Sequence, residues 1–221
     1  MKKISFDLNW TRSMGKRLPW ENDDSGVPVD LPDDFALDLP RSPEARGGAR
    51  VGFLSDGYAT YLKRFEAPAD WQGKTVLLHV DGAYMNAEVS LNNDLLAMHP
   101  YGYTPFEVDL TEALRYDLLN RLSIVTHGNQ PSSRWYSGAG LYRGVELWIG
   151  EPCHLHPYDL VLTTPEVSPA RATVRMTAEV TNTCRQLVQA QVQITLSHSG
   201  AIAAQACAAV DLPAQAKTTC I

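Results

Sequence analysis

"TVLLHVDGAYMNAEVSLNNDLL", residues 75–96, decides the fold class. In its first half Val76, Leu78 and Val80 occupy alternate positions, so an extended chain puts them on one face. In its second half Ala87, Val89 and Leu91 repeat that period, with Glu88 and Ser90 opposite. Asn92, Asn93 and Asp94 follow, and such residues tolerate the positive φ of a tight turn. The same alternation returns in "RLSIVTHG" (121–128) and "YRGVELWIG" (142–150). The pattern predicts an all-β protein built as a β-sandwich. Between two of these strands, "DLTEALRYDLL" (109–119) predicts one brief helix, with Thr111 as its cap.

Residues 15–57 read differently. They are rich in Pro, Gly and Asp and have little periodicity. A long irregular stretch in a compact domain is usually functional or an extended wrap over a sheet. Apolar anchors at Val29, Leu31, Phe35 and Leu37 predict that it is ordered.

The texture changes again near "GEPCHLHP" (150–157). Beyond it, Val174, Met176, Ala178 and Val180 share one face, as do Val188, Ala190, Val192, Ile194 and Leu196. These strands look like part of an immunoglobulin-like sandwich. They offer fewer residues than the about 100 such a sandwich needs. The expected domains are therefore 1–152 and a truncated 153–221, within a piece of a longer protein.

Composition narrows the function. The chain has 221 residues, 19 basic and 25 acidic, for a net charge of −6. No basic field is present to collect phosphates, which argues against a nucleic-acid partner. No apolar run reaches the length of a membrane-spanning helix, so no membrane partner is expected. The N-terminus lacks the apolar core of a signal peptide. A cytoplasmic location is expected, with a removed signal peptide left open. Cys153, Cys184, Cys207 and Cys220 match no zinc spacing and read as small packed or surface residues, a disulfide being the lesser option. His154 and His156 alternate on one face with no third ligand. Neither a metal nor a cofactor is expected.

Two stretches could carry chemistry. "NQPSSRWYSGAGLYRGVELW" (129–148) starts polar and aromatic and ends as a strand that buries Val145 and Leu147. Aromatic faces stack on sugar rings, and Arg or Asn heads hydrogen-bond hydroxyls, so Asn129, Ser133, Arg134, Trp135 and Tyr136 form a candidate sugar-binding set. Ser137, Gly138, Ala139 and Gly140 would let the backbone turn tightly. The competing reading is a connection whose aromatics pack on their own sheet. "HPYGYTPFEVDLT" (99–111), with Tyr101 and Tyr103, faces the same two readings. Asp33 and Asp34 are adjacent, so an extended chain points them apart and they cannot flank one bond together as paired catalytic carboxylates. No catalytic residue is identified.

Several segments together resemble glycoside hydrolase family 2, which includes β-galactosidases, β-glucuronidases and β-mannosidases. They are "VDLPDDFALDLP" (29–40), "GYATYLKRFEAP" (57–68), "VDGAYMNAEVSLNNDLLAMHPYGYTPFEVDLT" (80–111) and "RWYSGAGLYRGVELW" (134–148). The β-galactosidase branch is the most similar. The resemblance implies a jelly-roll sugar-binding domain, then an immunoglobulin-like sandwich that is incomplete here. A (β/α)8 barrel with two catalytic glutamates and a retaining mechanism would lie beyond this chain. It implies that this chain alone is inactive, supporting and edging the active site of a glycosidase that cleaves terminal β-galactosides. The loop before Gly138-Ala139-Gly140-Leu141-Tyr142-Arg143 would reach the barrel's mouth, with Ser133 and Arg134 at its tip and Arg143 as a structural anchor beneath. Implied partners are a β-galactoside, the barrel and, as an option, further copies of the chain. A stand-alone carbohydrate-binding module and a purely structural or assembly domain are the alternatives.

Overall fold

The computed structural model describes residues 1–21, 24–128 and 137–220. The chain divides into two compact units, one holding Lys2–Gln72 with Val76–Ile149, the other holding Met1, Gly73–Thr75 and the chain from Gly150 onward.

The first unit is a β-sandwich of antiparallel strands. In chain order these are β1 (Lys2–Ser5), β2 (Trp10–Met14), β3 (Val27–Val29), β4 (Gly57–Glu66), β5 (Thr75–Val80), β6 (Ala87–Leu91), β7 (Asp94–His99), β8 (Phe106–Asp109), β9 (Leu119–Gly128) and β10 (Val145–Gly150). Among the described residues they form a sheet ordered β1-β10-β5-β8 and another ordered β3-β2-β4-β9-β6-β7. Some neighbours in these sheets are far apart in sequence, as when β1 pairs with β10 through Ile4 and Leu147.

One apolar core joins the sheets. Val76, Leu78 and Val80 on one side and Ala87, Val89 and Leu91 on the other are all 0% exposed, as the alternation predicts. Val145 and Leu147 enter the same core. Burying each such Val or Leu contributes about 1.5–3 kcal/mol. Asn92 and Asn93 take positive φ at the β6–β7 turn. Asn92 does more than turn the chain: its Nδ2 donates to Asn120 Oδ1 at 2.8 Å and to Ala113 O at 3.0 Å, tying the turn to the segment before β9.

That segment corrects one expectation. Thr111 caps no helix; residues 110–118 are turns and bridges. Its hydroxyl instead accepts from Val76 N at 3.0 Å, so it closes the end of β5 rather than starting a helix. The α-helical turn of this unit is α1 (Phe35–Asp38), capped by Asp34, whose carboxylate accepts from Ala36 N at 3.2 Å.

In its described residues the irregular stretch is ordered, with one anchor misassigned. Phe35 is fully buried and Leu31 nearly so. Leu37 is 65% exposed, because the helical turn of α1 points it outward. Ala36 and Leu39 pack in its place. Upstream, Arg121 on β9 holds the wrap by donating to Pro19 O at 2.8 Å and Glu21 O at 2.7 Å.

The second unit contains β11 (Cys153–Val167), β12 (Ala172–Asn182), β13 (Val188–His198), β14 (Ala201–Leu212) and β15 (Ala216–Cys220). β11-β12-β15 form one sheet and β13-β14 another. Its small core holds Val180, Val192, Val210 and Leu212. The two predicted apolar faces are buried only in part: Ala178 and Val180 are inside, while Val174 and Leu196 are exposed. Asn182 is the polar pin of this unit. It is 1% exposed; its Nδ2 reaches the carbonyls of Gln186, Leu212 and Pro213, and its Oδ1 accepts from Cys184 N. All four cysteines are free thiols.

Two stability predictions follow from buried polar groups. Thr126 on β9 is fully buried, and its hydroxyl has no hydrogen-bond partner among the described residues. Thr126→Val keeps the shape and removes that group, so the urea midpoint is expected to rise by the equivalent of about 1 kcal/mol. Asn182→Leu strands three carbonyls and one N–H, and chemical denaturation is expected to show a loss of about 3 kcal/mol.

Candidate functional site

The sequence-derived candidates Asn129, Ser133, Arg134, Trp135 and Tyr136 lie outside the described residues. The two points where the chain leaves and rejoins the sandwich around them are described, and they are closely built.

The chain leaves at Gly128, the last residue of β9, paired with Gly57 on β4. A Cβ on Gly128 would sit 3.2 Å from the Phe35 ring and 3.4 Å from Ala139 Cβ, so the departing and returning limbs are packed together over α1. It returns through buried Ser137, then Gly138 and Gly140 at φ 82° and 95°, the tight turn that the small residues predict. Gly140 forms an isolated antiparallel bridge with Tyr84: Tyr84 N donates to Gly140 O at 2.9 Å and Gly140 N to Tyr84 O at 3.0 Å. Asp33 N donates to Leu141 O at 2.8 Å, so the "LPDDF" segment flanks the turn on its other side.

Tyrosines brace the return limb. Tyr103 donates its hydroxyl to Ser137 O at 3.2 Å, and Tyr142 donates to Gly102 O at 2.7 Å. Gly102 has no room for a side chain, since a Cβ there would lie 2.3 Å from the Tyr84 ring. Tyr103 stands 5.3 Å from Tyr84 and 5.7 Å from Tyr101 by ring centroids. Tyr101 and Tyr103 remain 55% and 41% exposed, so "HPYGYTPF" is both a packed brace and an aromatic surface.

Beneath the turn lies a buried charge cluster. Arg12 Nη1 contacts both Asp33 carboxylate oxygens, at 2.8 and 2.9 Å, and Asp38 Oδ2 at 2.8 Å. Tyr61 donates its hydroxyl to Asp33 Oδ2 at 2.6 Å. Burial works against the charge on Arg12, but the bonds to Asp33 and Asp38 more than offset it and raise its pKa. Burial, then the bond to Asp33, pushes the Tyr61 phenol far above its usual range, so it stays a neutral donor. The adjacent acids face apart, as the extended chain requires: Asp33 meets Arg12 and Asp34 caps α1.

Arg143 lies exposed, its guanidinium 5.4 Å from the Tyr142 ring. The buried arginine under the turn is Arg12, which the motif reading passes over. A signal was present: Arg12 shares a strand face with the fully buried Trp10, and an inward charge on a strand requires a partner. His154 and His156 serve locally, His154 Nδ1 lying 2.7 Å from Glu151 O and His156 Nδ1 accepting from Tyr158 N. Among the described residues no three His, Cys, Asp or Glu are placed to hold a metal.

Comparison with known proteins gives the site its context. No family model matches the chain. It is 34% identical over 186 residues, 82% of its length and 22% of the relative's, to the β-galactosidase BoGH2A of Bacteroides ovatus. Over the whole chain it superposes, with a TM-score of 0.92 and 28% identity, on 30% of a glycosyl hydrolase family 2 member from Bacteroides cellulosilyticus. The chain belongs to glycoside hydrolase family 2. It matches the amino-terminal part of these enzymes, and spans about a fifth of the length of the curated relatives it matches. A β-glucuronidase of Bacteroides fragilis is also similar, at 27% identity over 163 residues, 68% of this chain and 23% of that one. The family 2 relatives thus carry the names of enzymes for more than one sugar.

Gly140 offers a direct test of the architecture at the turn. A Cβ there would fall 2.1 Å from the Tyr61 hydroxyl, at a positive φ. Gly140→Ala is expected to cost about 3 kcal/mol in urea unfolding, from strain and overpacking together. Adding Tyr61→Phe is expected to recover part of that loss by removing the clashing oxygen.

Proposed function

We propose that this chain is the non-catalytic amino-terminal region of a retaining β-galactosidase-like glycosidase. In this reading the first unit is a jelly-roll sugar-binding domain and the second the start of an immunoglobulin-like domain. Loop 129–136 edges a sugar subsite whose catalytic glutamates lie on a (β/α)8 barrel outside these residues. Asn129, Ser133, Arg134, Trp135 and Tyr136 would line that edge, acting on a terminal β-galactoside. The observation that carries the reading is the match to one end of enzymes about five times as long. The close packing of Gly128, Phe35 and Ala139 at the loop's root supports it, because a rigid base is what a binding edge requires.

A self-contained carbohydrate-binding module is the second reading, favoured by the exposed rings of Tyr101 and Tyr103. The purified chain separates the two. It is expected to release no nitrophenol from nitrophenyl β-galactoside or β-glucuronide, and calorimetric titration with galactosides is expected to show no saturable heat. Turnover by the pure chain would sink the first reading. Saturable binding that Trp135→Ala abolishes would establish the second.

A further inference from the structure

β13 and β14 form a sheet of two strands, and among the described residues the outer edge of β13 pairs with no other strand. β14 also lies against β12 and β15, so β13 is the more open edge. We propose that this edge pairs, antiparallel, with the same edge of a second copy of the chain. The pairing belongs to the second unit and is independent of the sugar-site reading.

Other sheet edges of the protein carry devices that block such pairing. An edge strand presents unpaired N–H and C=O groups, and a charge, a proline or a bulge makes it a poor template. β1 carries Lys2 and Lys3, β3 carries Pro28, and β8 carries Glu107 and Asp109. β7 loses register with β6 between Val89 and Ser90. β11 holds Pro157 and Pro165 and breaks register twice with β12, and β15 carries Lys217. β13 has none of these. Residues 186–210 include no Asp, Glu, Lys, Arg or Pro. β13 keeps unbroken register with β14 from Val188 to Leu196. It is a long, neutral template.

The same stretch is complementary to itself. Val188, Ala190, Val192, Ile194 and Leu196 share one face, and Gln189, Gln191, Gln193 and Thr195 share the other. A two-fold axis sets each residue of an antiparallel pair against the one equally far beyond the axis. Even positions therefore meet even ones and odd positions odd ones. Wherever the axis falls between Val188 and Leu196, apolar side chains meet apolar ones and amides meet amides or a hydroxyl. The apolar faces of both copies stay on one side of the joined sheet. That side already holds an open apolar hollow lined by Val174, Met176, Val192, Ile194, Ala206 and Ala208. Leu196 stands 41% exposed on β13. Two-stranded sheets are marginal in water, and the pairing converts two of them into one sheet of four strands.

Sedimentation velocity on the purified 221-residue chain, over a range of concentrations, tests this. A reversible equilibrium between one chain and two is expected. Gln191 and Gln193 are exposed and oppose Ala209 and Cys207 within the chain, so a charge added there meets no charge in the single copy. Gln191→Lys combined with Gln193→Lys is expected to raise the dimer Kd about tenfold, by setting like charges across the axis. Gln191→Glu combined with Gln193→Glu is expected to do the same. An equimolar mixture of the two variants is expected to recover the original association. A chain that stays single at every concentration would overturn the proposal. So would a dimer that neither variant weakens, which would place the contact elsewhere, as on the exposed Leu160, Val161 and Leu162 of β11. A mixture no tighter than its components would overturn it too. If circular dichroism shows that the lysine variant does not fold, the glutamate variant carries the comparison, and an unchanged Kd there would overturn the proposal equally. The sugar-site reading fails separately, through the titrations above, whatever the mass of the chain in solution.

Discussion

The contact between Arg12 and Asp33 is the constraint around which the candidate site is arranged. It places a guanidinium and a carboxylate inside the sandwich, each almost wholly shielded from water. Such a pair adds little net stability over an apolar substitute, yet removing one partner costs about 3–5 kcal/mol because the other charge is left buried. What it supplies is geometry. Asp38 shares the same guanidinium and Tyr61 the same carboxylate, so β2, β4 and the wrap before α1 meet at one point.

Everything near the loop's root inherits that geometry. Phe35 follows Asp33 by two residues and packs against Gly128 and Ala139, where the chain departs and returns. Leu141 accepts from Asp33, and Gly140 is small because Tyr61 and Asp33 occupy the space a side chain would need. Tyrosines on the other side complete the support. The result is a closely packed frame around the points where the described chain stops at Gly128 and resumes at Ser137.

The two units differ in how completely they bury their apolar residues. In the first, the inward positions of β5, β6, β9 and β10 are closed off on both sides. In the second, the buried apolar cluster among the described residues is small, built on Val180, Val192, Val210 and Leu212, and Leu160, Val161, Leu162 and Ile202 stand exposed along its strands. Its order rests more on long hairpin ladders, such as the eleven paired positions of β13 and β14, and on the Asn182 pin.

The alternation of Val76, Leu78 and Val80 and of Ala87, Val89 and Leu91 was legible from the chain alone, as was the Asn92-Asn93 turn. Side-chain period and turn chemistry are local properties, and the burial of those residues follows directly. The small-residue turn at 137–140 was legible for the same reason. Thr111 and Leu37 were misread because their roles depend on what lies across from them: Val76 N for one, the outward turn of α1 for the other. Arg12 and Tyr61 escaped notice because nothing in "WTRSM" or "YATYL" names a partner 21 or 28 residues away. The sequence by itself determined that this protein is all-β, where its strands turn, and to which family its motifs point. Only the tertiary structure decided which charge sits beneath the turn at 137–140, because long-range pairing of buried ions is set by strand order and packing rather than by spacing along the chain.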